Sequence, residues 1–202
     1  KAGPPDFSDG LACKKERISM NKVIIVGGGA AGMLCSIIAA RNGCEVFLFE
    51  KNEKLGKKLY ITGKGRCNVT NNCEVEELLR AVMTNSKFLY SAFYTFNSQD
   101  MMALLEEAGV PLKTERGNRV FPESDRSSDI IRGLERLMKK YGVHVRFRSE
   151  VREILTQDGA VVGVSLADGE IKRADAVVVA TGGLSYPCLL YTSPSPRDRS
   201  VS

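Results

Sequence analysis

The sequence predicts an α/β protein built around a parallel sheet, and three observations support this. A hydrophobic strand at residues 23–26 runs into a glycine-rich turn that is followed by a helix. A second hydrophobic strand, at residues 45–49, comes directly after that helix and completes a β-α-β unit. A third apolar run, at residues 176–180, is continuous rather than alternating, as is typical of a strand buried on both faces of a parallel sheet.

The turn after the first strand has the spacing of a dinucleotide-binding motif. Gly27 would permit the tight turn, Gly29 would let the backbone approach a pyrophosphate, and Gly32 would let the helix pack closely on the strand. The phosphates would lie at the positive end of the helix, whose first amides lack partners within the helix. We therefore predict that Gly27, Gly29 and Gly32 build a dinucleotide-binding turn.

An acidic residue ends the second strand. Glu50 lies 18 residues after Gly32, a spacing that suits hydrogen bonding to a ribose hydroxyl pair. The alternative is a solvent-facing strand terminus. A glycine pattern alone is weak evidence, but the glycines, flanking strands, helix and terminal acid together indicate a dinucleotide site.

Composition limits the class of protein. The chain has 202 residues, of which 43% are hydrophobic and 26% charged, as in an ordinary globular domain. No apolar run is long enough to span a bilayer and no signal-peptide pattern is present, so we expect a cytoplasmic protein without a membrane partner. The six cysteines show no paired metal-type spacing, which predicts a reduced compartment and no metal site.

The charge argues against a nucleic-acid partner. The formal net charge is +5, from 29 Lys and Arg against 24 Asp and Glu. Residues 1–19 hold four basic and three acidic groups and residues 188–202 hold two and one, which leaves a net charge of +3 on residues 20–187. This excess does not by itself indicate a nucleic-acid surface.

Between the second strand and the third apolar run, the sequence predicts helices, a hairpin and a meander. Helices are indicated at residues 74–83 and 87–108, and Gly109 and Pro111 end the second. The further predicted elements are a hairpin at 112–122 that turns at Gly117-Asn118, an amphipathic helix capped by Ser127-Ser128-Asp129, a core strand at 143–147, and meander strands at 150–156, 160–167 and 169–174.

The order of these elements favours FAD over a tightly bound nicotinamide. An ordinary nicotinamide-binding domain would continue with alternating strands and helices. Here a three-stranded antiparallel meander joins two strands of the parallel sheet and leads to Ala180-Thr181-Gly182. This order resembles the FAD-binding domain of the glutathione-reductase-like flavoproteins, and it implies a Rossmann-like FAD-binding fold.

Three sequence blocks narrow the resemblance. Residues 57–71 include Gly-Arg-Cys-Asn-Val-Thr-Asn, residues 117–122 read Gly-Asn-Arg-Val-Phe-Pro, and residues 180–187 read Ala-Thr-Gly-Gly-Leu-Ser-Tyr-Pro. Over residues 20–187 the chain resembles the HI0933-like flavoprotein family, whose members are NAD(P)/FAD-dependent oxidoreductases. One branch of that family includes a bile-acid-pathway reductase.

The resemblance also bears on domain organisation. Family members are longer, with a second domain after the Ser-Tyr-Pro segment and a final piece that returns to the flavin. Residues 20–187 are therefore expected to be a truncated FAD-binding domain that lacks the C-terminal half of its fold. We interpret residues 1–19 as a flexible extension and residues 188–202, which do not resemble the family, as an artefactual tail.

The resemblance implies further cofactor contacts. Glu50 and Lys51 would border the adenosine ribose, and the pyrophosphate would be lined by Gly27, Gly28, Gly29, Ala30, Ala31 and Gly32. Val151, which opens the meander, would meet adenine through its backbone, although ordinary strand packing is an equal alternative. Near the point where the strand order switches, the residues expected to close over the cofactor are Thr181, Gly182 and Gly183.

The loop formed by Gly65, Arg66, Cys67 and Asn68 would pass beside the flavin. Arg66 would supply charge to a phosphate or to the electron-rich edge of the flavin, and its alternative is a surface salt bridge. No second cysteine follows Cys67 at two-residue spacing, so a small packing residue is favoured over a redox thiol. Asn68 would bond the flavin or hold the turns of its own loop.

These inferences predict an FAD-dependent oxidoreductase. It would transfer a hydride or two electrons through FAD, with NAD(P)H as the donor and a small organic molecule as the substrate. No catalytic acid or base is assigned, because His144, the only histidine, is expected to be a core or edge residue of a strand. Two alternatives stay open, namely a flavin-dependent tRNA-modifying enzyme and a non-catalytic nucleotide-binding module.

Overall fold

The computed structural model describes residues 21–183, without the side chains of residues 62 and 63. The extension predicted at residues 1–19 and the tail predicted at residues 188–202 lie outside the described residues. Within them the chain forms the strands β1 (Lys22–Val26), β2 (Glu45–Phe49), β3 (Thr70–Asn71), β4 (Leu112–Glu115), β5 (Arg119–Pro122), β6 (His144–Arg146), β7 (Val151–Gln157), β8 (Ala160–Leu166), β9 (Ile171–Arg173) and β10 (Ala176–Val179).

The described helices connect these strands, and three of them follow one another between β3 and β4. They are α1 (Ala30–Arg41), α2 (Val75–Ala81), α3 (Tyr90–Thr95), α4 (Ser98–Glu107) and α5 (Ser127–Lys140), with 3₁₀ segments at Leu59–Gly65 and Ser86–Leu89.

A four-stranded parallel sheet in the order β10-β1-β2-β6 forms the centre of the fold. β1 pairs with β2 through Val23 and Val46, and with β10 through Val23 and Ala176. The antiparallel sheets β3-β5-β4 and β7-β8-β9 complete the structure. The predicted β-α-β unit, hairpin and three-stranded meander are therefore confirmed.

Side chains of β1 alternate between two hydrophobic layers. Val23 and Ile25 pack into a core shared with α1, α4 and α5. Ile24 faces the opposite side, where it packs with Phe49 of β2 and Val164 of the meander. Because successive side chains of a strand point to opposite faces, a strand between two apolar layers must be apolar throughout. This explains the continuous apolar run of β1.

The helix predicted at residues 87–108 is interrupted. Its described parts are a 3₁₀ segment, α3 and α4, with Phe96 in an extended conformation between the last two. Asn97 caps α4, because its side chain accepts from the amides of Gln99 (2.8 Å) and Asp100 (3.1 Å). The Asp100 carboxylate accepts from the Asn97 amide in return (2.8 Å), which completes a capping box. The chain therefore leaves α3 at Phe96 and begins α4 at the Asn97 cap, within the stretch predicted to be helical.

Three other sequence predictions need correction. Ser127 is the first residue of α5 rather than its cap, and Arg126 precedes the helix without a side-chain capping bond. The predicted core strand at 143–147 is β6, an edge strand whose His144 and Arg146 are exposed. β10 is also outermost in the described sheet, so Val179 is 60% exposed rather than buried on both faces.

Candidate cofactor-binding site

The glycine turn between β1 and α1 is held by close backbone packing. Gly27 has φ of 106°, a conformation that L side chains rarely adopt, and its amide donates to the Phe49 carbonyl (2.8 Å). A Cβ at Gly32 would lie 1.9 Å from the Gly27 carbonyl oxygen, and a Cβ at Gly27 would lie 2.7 Å from the Ala180 carbonyl oxygen. Gly27 and Gly32 are therefore packed so closely between α1 and the end of β10 that a side chain does not fit at either position.

The N-terminus of α1 is left open to a ligand. Gly29 is its N-cap residue, no side chain caps the helix, and its first turn contains no acidic residue. A Cβ at Gly29 would meet nothing within 4 Å, in contrast to Gly27 and Gly32. The amides of the first helical turn have no partner within a helix, and the helix dipole makes this end positive. The geometry suits a phosphate group of the cofactor.

Glu50 is buried beside this turn, with 8% of its surface exposed. One carboxylate oxygen, Oε2, accepts from the Gly28 amide (2.7 Å). The other, Oε1, accepts from the Asn52 amide (2.8 Å) and from the Asn52 side-chain Nδ2 (2.6 Å). A carboxylate offers about four acceptor positions, so three contacts orient the group and leave capacity for a ligand hydroxyl. This excludes the alternative of a solvent-facing strand terminus.

A groove of about 1090 Å³ runs along these elements. Most of the predicted site residues lie on its wall: Gly27, Gly28, Gly29, Ala30, Ala31, Glu50, Lys51, Val151, Thr181 and Gly182. Gly32 is buried behind the turn, and the Gly183 carbonyl accepts from Lys58 Nζ (3.1 Å). The structure thus brings the glycine turn, the end of β2, the start of the meander and the end of β10 to one surface.

The groove also contains residues that sequence reasoning did not assign to it. Asn52, Lys57, Lys58, Ser149, Glu150 and Arg152 supply polar groups, and Phe49, Leu59 and Ile154 supply apolar surface. The sequence could have indicated the positions of Lys57 and Lys58 in the groove, because these two cations follow the predicted ribose-binding acid within a short loop. The positions of Ser149 and Arg152 depend on how the meander meets β2, which local sequence does not encode.

The loop at residues 65–68 lies elsewhere, and none of these four residues is among the described residues that line the groove. Arg66 donates to Glu115 through Nη2 (2.5 Å) and to Asp125 through Nε (2.8 Å), while its guanidinium lies 4.2 Å from the Phe121 ring centroid. Its described partners are those of the salt-bridge alternative. Contact between this loop and the flavin stays a prediction.

The charges around Arg66 stabilise one another. Hydrogen bonds to Glu115 and then Asp125 raise the pKa of Arg66. The hydrogen bond from Arg66 lowers the pKa of Glu115, and hydrogen bonds from Lys113 and then Arg66 lower the pKa of Asp125. The network therefore keeps the two carboxylates charged to lower pH than isolated carboxylates.

The two other side chains of this loop face the protein itself. Cys67 is 3% exposed and belongs to the main hydrophobic core, as a packing residue would. With its amide nitrogen turned toward them, Asn68 donates to the carbonyls of Val120 (3.2 Å) and Thr70 (3.1 Å). This arrangement corresponds to the alternative in which Asn68 holds its own loop.

His144 lies on the edge strand β6 and stacks on Phe47, with ring centroids 4.8 Å apart. Between residues 21 and 183 no group of three or more His, Cys, Asp or Glu side chains could hold a metal ion. None of the helices described has both the length and the apolar character needed to cross a membrane.

Comparison with known proteins identifies the family. A model of the HI0933-like protein Rossmann domain matches residues 21–192. The chain belongs to the HI0933-like family. It is 31% identical over 167 residues to the 3-dehydro-bile acid delta(4,6)-reductase of Clostridium scindens, with 81% of this chain and 39% of that protein covered. It is 34% identical over 167 residues to the ribosomal RNA dihydrouridine synthase of Escherichia coli, with 82% and 40% covered.

Solved structures share the fold. A flavocytochrome c3 fumarate reductase in its open conformation has a TM-score of 0.57 at 26% identity, with 81% of this chain and 34% of that chain covered. A 3-ketosteroid-delta4-(5alpha)-dehydrogenase from Rhodococcus jostii has a TM-score of 0.63 at 19% identity, with 86% and 48% covered. The HI0933-like chain therefore has the Rossmann-like FAD-binding α/β fold of an oxidoreductase family. It spans about 40% of the length of these curated relatives.

Proposed function

We propose that this HI0933-like chain binds FAD in its groove and is part of a reductase. The reductase would transfer hydride from NAD(P)H to a carbon–carbon double bond that is conjugated to a carbonyl group. The observation that carries the cofactor assignment is the open N-terminus of α1 beside a buried, oriented Glu50. An uncapped helix end favours an anion, and a carboxylate at the end of β2 accepts from ribose hydroxyls. Both groups lie on the wall of one groove of about 1090 Å³.

The reaction class is supported by the relatives. The name of one describes reduction of a bile acid at positions 4 and 6, and that of another describes formation of dihydrouridine in ribosomal RNA. Both names describe addition of hydrogen across a double bond that is polarised by a carbonyl. A third relative, from Shewanella frigidimarina and 26% identical over 90% of this chain, is named as a probable fumarate reductase, and the double bond of fumarate is conjugated to carbonyl groups. One reaction, hydride transfer to a conjugated double bond, accounts for the names of all three relatives, which differ in the molecule that accepts the hydride.

Each part of the groove has a separate task. The amides of Ala30 and Ala31 would hold the diphosphate, and Glu50 would accept from the ribose hydroxyls. When bound, FAD supplies the hydride-transfer chemistry. The backbone at Val151 and at Thr181-Gly182 would border the adenine and the opposite end of the cofactor, and thereby fix the cofactor's direction along the sheet.

The proposal is tested by spectroscopy on the 202-residue chain. We expect flavin absorbance that survives desalting after incubation with FAD, and loss of that absorbance when Gly29→Ala and Glu50→Ala are combined. Anaerobic NADPH should bleach the bound flavin, and 2-cyclohexenone should restore its colour. A folded but colourless protein would overturn the cofactor assignment. Bound flavin that neither NADPH nor NADH reduces would instead support the non-catalytic nucleotide-binding module.

RNA is the second candidate substrate, because two of the curated relatives are ribosomal RNA dihydrouridine synthases, from Escherichia coli and Haemophilus influenzae. The net charge of +3 on residues 20–187 is weak for RNA binding by this part alone. The two candidates separate when reduced flavin in the chain is offered 2-cyclohexenone or a uridine-containing RNA. Faster reoxidation by RNA, lost at high salt, would favour the RNA substrate.

A further inference from the structure

A chain of hydrogen bonds runs from the surface of the groove to the buried ribose-binding acid. Lys57 Nζ lies 3.0 Å from Glu53 and donates to Asn52 Oδ1 (2.9 Å). Asn52 Nδ2 and its backbone amide both donate to Glu50 Oε1, and the Gly28 amide donates to Glu50 Oε2. The relay is therefore continuous from Glu53 through Lys57, Asn52 and Glu50 to the glycine turn.

Lys57 fixes which way the Asn52 amide points. An asparagine side chain has one acceptor end and one donor end. With the lysine ammonium against Oδ1, the NH₂ group must face Glu50, where it donates over 2.6 Å. A flipped amide would place its oxygen against the carboxylate and its NH₂ against a cation. Both contacts would then be repulsive, so the lysine sets the orientation.

The same loop is attached to the glycine turn by its backbone. The Gly56 amide donates to the Gly28 carbonyl (2.8 Å), while the Gly28 amide donates to Glu50. A Cβ at Gly28 would lie 2.3 Å from Leu55 Cδ2, so the loop closes directly over the turn. Movement of the 50–56 loop would therefore move the ribose acid and the phosphate-binding turn together.

We infer that Asn52 is the positioning residue that aims Glu50 at the ribose hydroxyls, and that Lys57, although it lines the groove, acts on the cofactor through Asn52 rather than by direct contact. This inference rests on the proposed FAD-binding function. Asn52 occupies two of the carboxylate's acceptor positions and Gly28 occupies a third. Of about four acceptor positions, one is therefore left for a ligand, and it points in one direction. The ribose hydroxyls are the ligand groups that this direction serves.

The test measures nucleotide binding by calorimetry with FAD, ADP and 2′,3′-dideoxy-ADP. Because hydrogen bonds to charged groups are strong, we expect Asn52→Ala to raise the Kd for FAD and ADP about 10- to 100-fold. The ratio of the Kd for dideoxy-ADP to that for ADP should fall toward unity, since a misdirected Glu50 no longer senses the hydroxyls. A purely structural role would weaken both nucleotides equally and leave the ratio at its wild-type value.

Lys57→Met is the second variant, which retains the Asn52 and Glu50 side chains but removes the cation that orients the Asn52 amide. We expect it to raise the Kd for FAD about 3- to 10-fold, and the Asn52→Ala/Lys57→Met double variant to bind no worse than Asn52→Ala alone. Lys54→Met is the matched control, because Lys54 belongs to the same loop but lies over the Tyr60 ring, 4.5 Å from its centroid. Its Kd should equal that of the wild type.

Additive losses in the double variant would overturn the relay, and so would an unchanged dideoxy-ADP ratio in Asn52→Ala. If Asn52→Ala does not fold, an unchanged Kd in Lys57→Met overturns the relay by itself. A wild-type chain that binds ADP but not FAD would overturn the flavin proposal alone, since the ribose contacts are still measured with ADP. A wild-type chain that binds neither nucleotide would overturn both.

Discussion

The glycine turn and the 65–68 loop contain the two strongest sequence patterns, and they differ in whether their polar groups are open to a ligand or paired within the protein. At the turn, side-chain caps are absent from α1 and the groove-lining Gly29 faces open space. In the loop, the guanidinium of Arg66 contacts Glu115, Asp125 and the Phe121 ring. The first region presents helix amides that no described side chain caps, whereas in the second the charge of Arg66 is paired within the protein.

This contrast shows what makes a motif a binding site. Buried polar groups are normally paired, so a set of donors that the described fold leaves open is informative. Glu50 lies between the two cases, because three protein donors orient it while its place on the groove wall keeps it accessible to a ligand. A polar group whose hydrogen-bonding capacity is partly filled by the protein is held in one orientation and can still bind a ligand. A group whose capacity is completely filled by the protein has none left for a ligand.

The largest effect that would sharpen this comparison is expected from Gly32→Ala. Its Cβ would lie 1.9 Å from the Gly27 carbonyl oxygen, so backbone must move. We expect a loss of about 3 kcal/mol in the free energy of unfolding, measured by urea denaturation. A free energy within error of the wild-type value would show that the turn is not packed as described.

Gly29→Ala is expected to leave stability unchanged and to weaken FAD binding. A methyl group at this position meets no protein atom within 4 Å, so thermal unfolding of the free protein should be unchanged. The same methyl group would obstruct the diphosphate at the end of α1, and we expect the Kd for FAD to rise about 10- to 100-fold. Equal FAD binding by this variant and the wild type would place the phosphates elsewhere.

The salt-bridge alternative for Arg66 predicts that Arg66→Met changes stability slightly and leaves FAD binding unchanged. Exposed ion pairs contribute little, although this one is shared by two carboxylates and stacks on Phe121. We expect a small fall in Tm by calorimetry and a Kd for FAD equal to that of the wild type. A Kd raised as much as in Gly29→Ala would remove the contrast, because it would place Arg66 on the cofactor.

The smallest effect is the pH dependence of that Tm difference. The pKa values of Glu115 and Asp125 are lowered in the folded protein, so their contribution is present above their ordinary pKa values of about 4 and is lost as pH falls through the folded values. The difference between Arg66→Met and wild type should be full at pH 7 and should shrink below about pH 4. A constant difference would assign the role of Arg66 to packing on Phe121 instead.

The elements that sequence reasoning placed well share a local cause. β1, β2 and the meander strands follow from apolar runs and tight turns, such as Asp158-Gly159, where both residues have positive φ. The interruption before α4 was missed, although Asn97 and Asp100 have the spacing of a capping box. The edge positions of β6 and β10 had no local signal, because strand order is a property of the whole sheet.

The sequence by itself determined the β-α-β unit, the glycine turn and the acid at the end of β2, because these features depend on the spacing of residues along a short stretch of chain. Tertiary structure decided which polar groups remained available. Arg66 meets Glu115 and Asp125 across 49 and 59 residues of sequence, whereas Glu50 meets Asn52 within two. Long-range partners are set by how sheets and helices pack, and that packing separates an open binding group from a satisfied one.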